Sequence, residues 1–259
     1  MKKLQLVTLI SLLLAANGYF FVVSAASKTV GLLPDLQTVV PLHLGIMNEH
    51  QREILRFSNG IANVGRGDWR MRPLFPLSDT LTTQDAIQEI LDANSSVVQE
   101  VPVSKFEFHE THNHWHINGI ALFEVRAGSP TGLVVGNNSI KTTFCLIDWY
   151  KLEDNSPTTE RTYFECSGAY QGISPGWVDQ YHQATDGQQL DITGVPPGRY
   201  YLLSTANPDG IFIEDDYTNN TAWVAFDLTR DSRGNPKIKV VNYSPCETAG
   251  LCGEDAPNR

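Results

Sequence analysis

The sequence predicts an all-β fold, with a single-domain β-sandwich-like core, long loops and one short helix. Five Trp, nine Tyr and eleven Phe in a 259-residue chain that is 41% hydrophobic supply bulky core material. Three Met and a scarcity of long helix-forming runs argue against a helical bundle. From residue 103 onward, short β-branched or aromatic runs bounded by Gly, Pro, Asn or Asp recur at the spacing of a sandwich. No internal repeat, low-complexity tract or linker divides the chain, so one domain over 30–245 and a tail over 246–259 is the simplest organisation.

In chain order, Met1-Lys2-Lys3 precedes an uncharged stretch from Leu4 to Ser27, the charged and apolar parts of a secretory signal. Val23-Ser24-Ala25-Ala26 offers small residues for cleavage, so residues 1–26 are expected to be a signal peptide and the protein to be secreted or extracytoplasmic. An uncleaved anchor is the other reading of the stretch, and no later segment is long and apolar enough to span a membrane. Leu33-Pro34-Asp35-Leu36 opens the domain, residues 54–60 read as a strand, and Asn63-Val64-Gly65 reads as a turn. Thr82-Thr83-Gln84-Asp85 resembles a helix cap, and Ala86, Ile87, Ile90 and Leu91 follow at helical spacing, which places the one helix over 82–93. The runs at 119–125, 141–149, 198–204, 220–228 and 237–242 read as strands.

Nineteen basic residues against 29 acidic ones give a net charge of −10, which argues against a nucleic-acid partner and suits a cationic substrate. The four cysteines, Cys145, Cys166, Cys246 and Cys252, form an even set in a chain expected to meet an oxidising compartment. Of the three possible pairings, proximity favours Cys145 with Cys166 and Cys246 with Cys252.

Four of the seven histidines stand in the string His109-Glu110-Thr111-His112-Asn113-His114-Trp115-His116. On a strand, His112, His114 and His116 would share one face, with His109 of opposite parity. A flat strand would hold His112 and His116 roughly 13 Å apart, near the limit for imidazoles sharing one metal, so the strand must curve or His109 must swing in from a loop. Imidazole suits Zn, Cu, Fe and Ni, and all-nitrogen tetragonal sites favour Cu(II). The residues alone leave a zinc hydrolase open, with Glu107, Glu110 and Glu124 to hand, although the H-E-x-x-H spacing is absent. A secreted metal-binding or adhesion module without catalysis is open too.

Ordered motifs run through the chain: Leu33-Pro34-Asp35-Leu36, Leu55-Arg56-Phe57 with Asn63-Val64-Gly65, the histidine string, Lys141-Thr142-Thr143-Phe144-Cys145-Leu146, and Gln171-Gly172-Ile173-Ser174-Pro175-Gly176 with Asp179-Gln180-Tyr181. Leu190-Asp191-Ile192-Thr193, Pro197-Gly198-Arg199-Tyr200 and Glu214-Asp215-Asp216-Tyr217-Thr218-Asn219-Asn220 complete the series. Taken together, over roughly residues 32–228, they resemble the catalytic domain of the lysyl oxidase family.

The resemblance implies a copper- and quinone-dependent amine oxidase that converts primary amines, peptidyl lysine among them, to aldehydes with oxygen as acceptor and ammonia and hydrogen peroxide as products. It implies copper ligands at His112, His114 and His116, with His109 supporting them. It implies a lysine tyrosylquinone made from Lys141 and Tyr181, and a general base at Asp179. It further implies a calcium site drawn from Asp35, Leu36, Glu214, Asp216, Asn219 and Asn220, a set of hard oxygen donors. One departure is Thr111, where animal members carry a cysteine; collagen and elastin targeting is not carried over.

Overall fold

The computed structural model describes residues 30–252 except Asp79 and Glu247, with the side chains of residues 136–141 also outside the description. The expected signal peptide and the end of the expected tail therefore lie outside the described residues. No described helix is long and apolar enough to cross a membrane.

The chain forms antiparallel strands in the order β1 (Leu36–Thr38), β2 (Leu42–Glu49), β3 (Arg52–Asn63), β4 (Trp69–Pro73), β5 (Thr83–Leu91), β6 (Val97–His109), β7 (His114–Ala127) and β8 (Val134–Phe144). These continue as β9 (Tyr150–Lys151), β10 (Gln171–Ile173), β11 (Trp177–Tyr181), β12 (Gln189–Asp191), β13 (Gly198–Ala206), β14 (Thr221–Arg230) and β15 (Pro236–Tyr243), followed by the helix α1 (Ala249–Cys252). The all-β expectation holds.

Two sheets result. In the first, β3 is the spine, with β1 and β2 along one edge and β11 and β12 along the other. The second runs β10-β4-β5-β6-β7-β13-β14-β15, with β8 also on β7. Alternation along each strand turns one set of side chains inward, and the inner faces meet in a shared core. Leu55, Phe57 and Ile61 of β3 pack with Ile117 and Phe123 of β7, Leu202 of β13 and Phe226 of β14. Phe57 meets Phe123 edge-on at 4.8 Å.

Two of the sequence motifs join here. The fully buried Asn63 side chain accepts from the backbone N–H groups of Asp35 (3.2 Å) and Gly65 (3.1 Å), and donates to the carbonyls of Gly67 (2.9 Å) and Ile173 (2.8 Å). A Cβ on Gly65 would lie 2.4 Å from the Asp35 nitrogen, so only glycine lets the two segments pass this closely.

The helix expected over 82–93 is instead the strand β5. It lies between β4 and β6, and irregularities in its register at Ala86/Ile87 and Ile90/Leu91 break the two-residue alternation. The resulting apolar spacing imitates a helix. Its apparent polar face is buried and paired: Gln88 donates to the Ile213 carbonyl and accepts from the Ile213 N–H, both at 2.7 Å, and Glu89 faces Arg70 (3.1 Å) and Arg72 (2.9 Å).

Helix α1 lies in the expected tail. The Val40 N–H donates to the Leu251 carbonyl at 2.9 Å, and Cys246 is bonded to Cys252, one of the two expected pairings. The strand expected over 141–149 stops at Phe144, because Cys145 bonds to Cys166 and Asp148 gathers the next turn. That buried carboxylate accepts from the N–H groups of Thr162 (2.8 Å), Tyr163 (3.1 Å) and Ser174 (2.8 Å) and from the Ser174 hydroxyl (2.9 Å). The strand expected over 54–60 is longer at both ends, spanning Arg52–Asn63.

Candidate functional site

The histidine string is a hairpin rather than one strand. His109 ends β6, residues 110–113 turn with Asn113 in the left-handed region (φ 54°), and His114 begins β7. The backbone N–H groups of His112 and Asn113 donate to the His109 carbonyl at 3.1 and 2.8 Å, which closes the turn. Across the pair, His109 stands opposite His114, and Glu107 opposite His116. Directly opposed residues share a face, so His109, His114 and His116 lie on one side, while Phe108 and Trp115 pack together on the other. The opposite parity expected for His109 is thus corrected, because alternation does not carry through a chain reversal. His112 reaches the same cluster from the turn, not from a strand.

All four imidazoles meet. His114 Nε2 and His116 Nε2 are 2.9 Å apart, His112 Nδ1 is 3.5 Å from His116 Nε2, and the His109 ring stacks on the His116 ring at 4.0 Å. One nitrogen each from His109, His112 and His116 lies within 4.8 Å of the others. Metal–nitrogen bonds of about 2.0–2.1 Å place two ligands up to roughly 4 Å apart, so small side-chain rotations bring such a set onto one ion.

Electrostatics keep His114 and His116 in the ligand form. Burial, and then the neighbouring histidines, hold His116 down to about 3, and the same causes lower His114. Thr143 on β8 places its hydroxyl 3.1 Å from His116 Nδ1 and 3.4 Å from His109 Nε2, so one hydroxyl orients both rings. The sequence reading missed Thr143, which carries no signal outside its motif.

From Thr143 the site continues to Tyr181. The next residue, Phe144, stacks on the Tyr181 ring at 4.0 Å, and the Tyr181 hydroxyl donates to the Cys145 carbonyl at 2.6 Å. Burial of the hydroxyl, and then the charge of Asp179, raise Tyr181 well above the ordinary phenol range. Asp179 lies two residues earlier on β11, is 3% exposed, and is raised well above the usual carboxyl range by burial and then by Asp148. Lys141, on β8 two residues before Thr143, pairs with Leu122 of β7; its side chain lies outside the described residues.

Between β11 and β12 the chain leaves the edge of β3 as a loop that connects the two halves of the site. Arg56 holds it, donating to the carbonyls of Gln183 (2.6 Å) and Thr185 (3.2 Å) and to the Gln189 side chain. Ser58 accepts from the Gln183 N–H at 2.9 Å. Held in this way, the loop brings Asp186 to 3.6 Å from His112 Nε2.

The oxygen-rich set lies elsewhere. Glu214 is committed to the fold: one carboxylate oxygen accepts from the Leu36 N–H (3.0 Å) and the other from the Asn207 (2.5 Å) and Asn220 (2.8 Å) amides. Asp35 accepts from Asn219 at 2.8 Å, and Asp216 accepts from the Thr218 N–H and hydroxyl at 2.8 and 2.7 Å. Burial and then, beyond the relieving Asn219 bond, the charges of Asp216 and Asp215 raise Asp35. Among the described residues the side-chain oxygens of Asn219 and Asn220 are buried without partners, and unsatisfied carbonyl oxygens beside carboxylates are what a calcium ion takes up.

With this geometry in place, comparison with known proteins is informative. Residues 84–235 match the family model described as Lysyl oxidase. Lysyl oxidase homolog 3 of Homo sapiens is 30% identical over 171 residues, covering 65% of this chain and 18% of the relative. Protein-lysine 6-oxidase of Sus scrofa is 34% identical over 121 residues, covering 46% of this chain and 45% of the relative. The chain thus matches less than half the length of these relatives. The matched 84–235 segment contains the histidine hairpin, Thr143, Asp179 and Tyr181.

Proposed function

The chain belongs to the lysyl oxidase family, and from that premise we propose that it is a copper-dependent amine oxidase acting on primary amines, with peptidyl lysine as one substrate class. The observation that carries the reading is the meeting of four imidazoles on one hairpin face, joined through Thr143 and Phe144 to a buried tyrosine. His112, His114 and His116 would hold copper, His114 Nε2 lying 2.9 Å from His116 Nε2, and His109, whose nitrogen groups with those of His112 and His116, is close enough to orient these ligands or to take the place of His114. Copper and a quinone built from Tyr181 and Lys141 would supply the oxidising capacity, with oxygen as final acceptor and ammonia and peroxide released.

The protein's own groups do the rest. Asp179, raised by burial, sits on the Tyr181 face of β11 and would take the proton from the carbon next to the substrate nitrogen. Burial around it excludes water, and Asp148 fixes the turn that follows Cys145. The chain's net charge of −10 would draw protonated amines toward the molecule. We further propose that Asp35, Asp216, Asn219 and Asn220 hold calcium, with Glu214 and Leu36 framing the site. We also propose that the protein acts outside the cytoplasm, where its two disulfides persist.

The test is peroxide release across a panel of amines from copper-reconstituted protein, with metal analysis alongside. Amine-dependent peroxide supports the oxidase. Stoichiometric metal without peroxide from any amine leaves a metal-binding module.

A further inference from the structure

Two buried amide side chains along β3, on Asn59 and on Gln188 of the loop bonded to it, have nothing to bind among the described residues. Asn59 is 2% exposed and Gln188 0% exposed, and among the described residues neither end of either amide has a hydrogen-bond partner. Buried polar groups are almost always paired, so four unpaired amide atoms in one region ask for a reason.

Their placement supplies one. Asn59 of β3 stands directly opposite Tyr181 of β11, and opposed residues share a face. Gln188 closes the loop that begins after Tyr181, its carbonyl accepting from the Phe57 N–H at 3.3 Å. Leu190, two residues on, pairs with Leu55, so alternation sets Gln188 on the face that carries Phe57 and Asn59. Asp179, opposite Ile61 on this same face, has an unpaired buried oxygen as well.

The Tyr181 hydroxyl now donates to the Cys145 carbonyl at 2.6 Å. Resting on the reading of Tyr181 as the quinone precursor, its oxidation consumes one dioxygen. One oxygen atom becomes a second ring carbonyl, two hydrogens leave, and the other oxygen departs as water; addition of the Lys141 amine then gives a diol, from which a second dioxygen takes two hydrogens as hydrogen peroxide to restore the quinone. The two oxygens of the oxidised ring are acceptors only, so the one that was the hydroxyl cannot keep the bond to Cys145, where two carbonyl oxygens would oppose each other. It needs donors, and the unpaired Asn59 Nδ2 and Gln188 Nε2 stand on its side of the sheet.

We propose that Asn59 and Gln188 are positioning residues for the oxidised ring, donating to its oxygens once the bond to Cys145 is lost. They are unpaired in the tyrosine state because the pocket is matched to the product of oxidation.

Asn59→Leu and Gln188→Met remove the amides at nearly constant volume, and Asn59→Asp keeps acceptors while removing the donor. Before copper is added, the two apolar variants should melt at or above the parent temperature. After exposure to copper and oxygen, all three should bind copper as the parent does. Their phenylhydrazine adducts should form about five-fold more slowly, one hydrogen bond's net worth, with a shifted visible maximum. Parental adduct rate and maximum in the variants overturn the proposal alone. A lowered melting temperature in both apolar variants before copper is added also overturns it, since the amides would then already serve the fold. If the parent forms no adduct, the reading of Tyr181 falls and this proposal falls with it.

Discussion

At the residue scale the strongest constraint is protonation. A histidine held near 3 in the fold but near 6.5 when unfolded lets only the unfolded chain bind a proton between those values. Stability of the metal-free protein should therefore fall as pH drops from about 6.5 toward 3. Denaturant midpoints read at pH 7 and pH 4.5 should show this loss, and His116→Gln should flatten it. Asp179 has the opposite sign: a carboxyl raised by burial stabilises the fold at low pH and loses that contribution as pH rises through its folded value. Asp179→Asn should therefore raise the melting temperature at neutral pH while abolishing peroxide release; a lowered melting temperature would contradict the burial argument. Sequence alone exposed the histidine density, because four such residues in eight need no geometry to be noticed. It misjudged the parity of His109 because the reversal at 110–113 is closed by backbone bonds to the His109 carbonyl, which any residue there could make.

At the element scale, the loop between β11 and β12 carries Asp186 to the histidines and depends on one guanidinium. Arg56→Ala should cost about 1.5–3 kcal/mol, the worth of hydrogen bonds from a charged donor, and should raise amide exchange across residues 182–188. Unchanged exchange there would mean that Ser58 and β12 suffice. The Cys145–Cys166 bond closes a 21-residue separation beside the carbonyl that anchors Tyr181. Cys166→Ser should lower stability by about 3 kcal/mol in thermal or denaturant unfolding. Arg56 was visible only as part of a motif, since nothing in its neighbours says that its partners lie more than a hundred positions later. The β5 helix was misread for a related reason: bulges in a central strand and a glutamine bridging to Ile213 are long-range facts that local spacing mimics.

At the scale of the whole molecule, bulky aromatics and turn-bounded runs were enough to reveal two packed sheets, because burying them needs two faces. The oxygen-rich loop ties the chain start to a late turn, so stripping calcium should lower the melting temperature without removing copper. An unchanged melt, in protein shown by metal analysis to have held calcium, would limit that loop to its Glu214 hydrogen bonds. The site as a whole stands or falls on one covalent link. Copper-loaded, oxygen-exposed protein should be digested and its peptides mapped by mass. The account requires the peptide carrying Lys141 fused to the peptide carrying Tyr181, and no such fusion when Tyr181 is replaced by Phe. Recovery of the two as separate, unmodified peptides, from protein that has bound its copper, would contradict it.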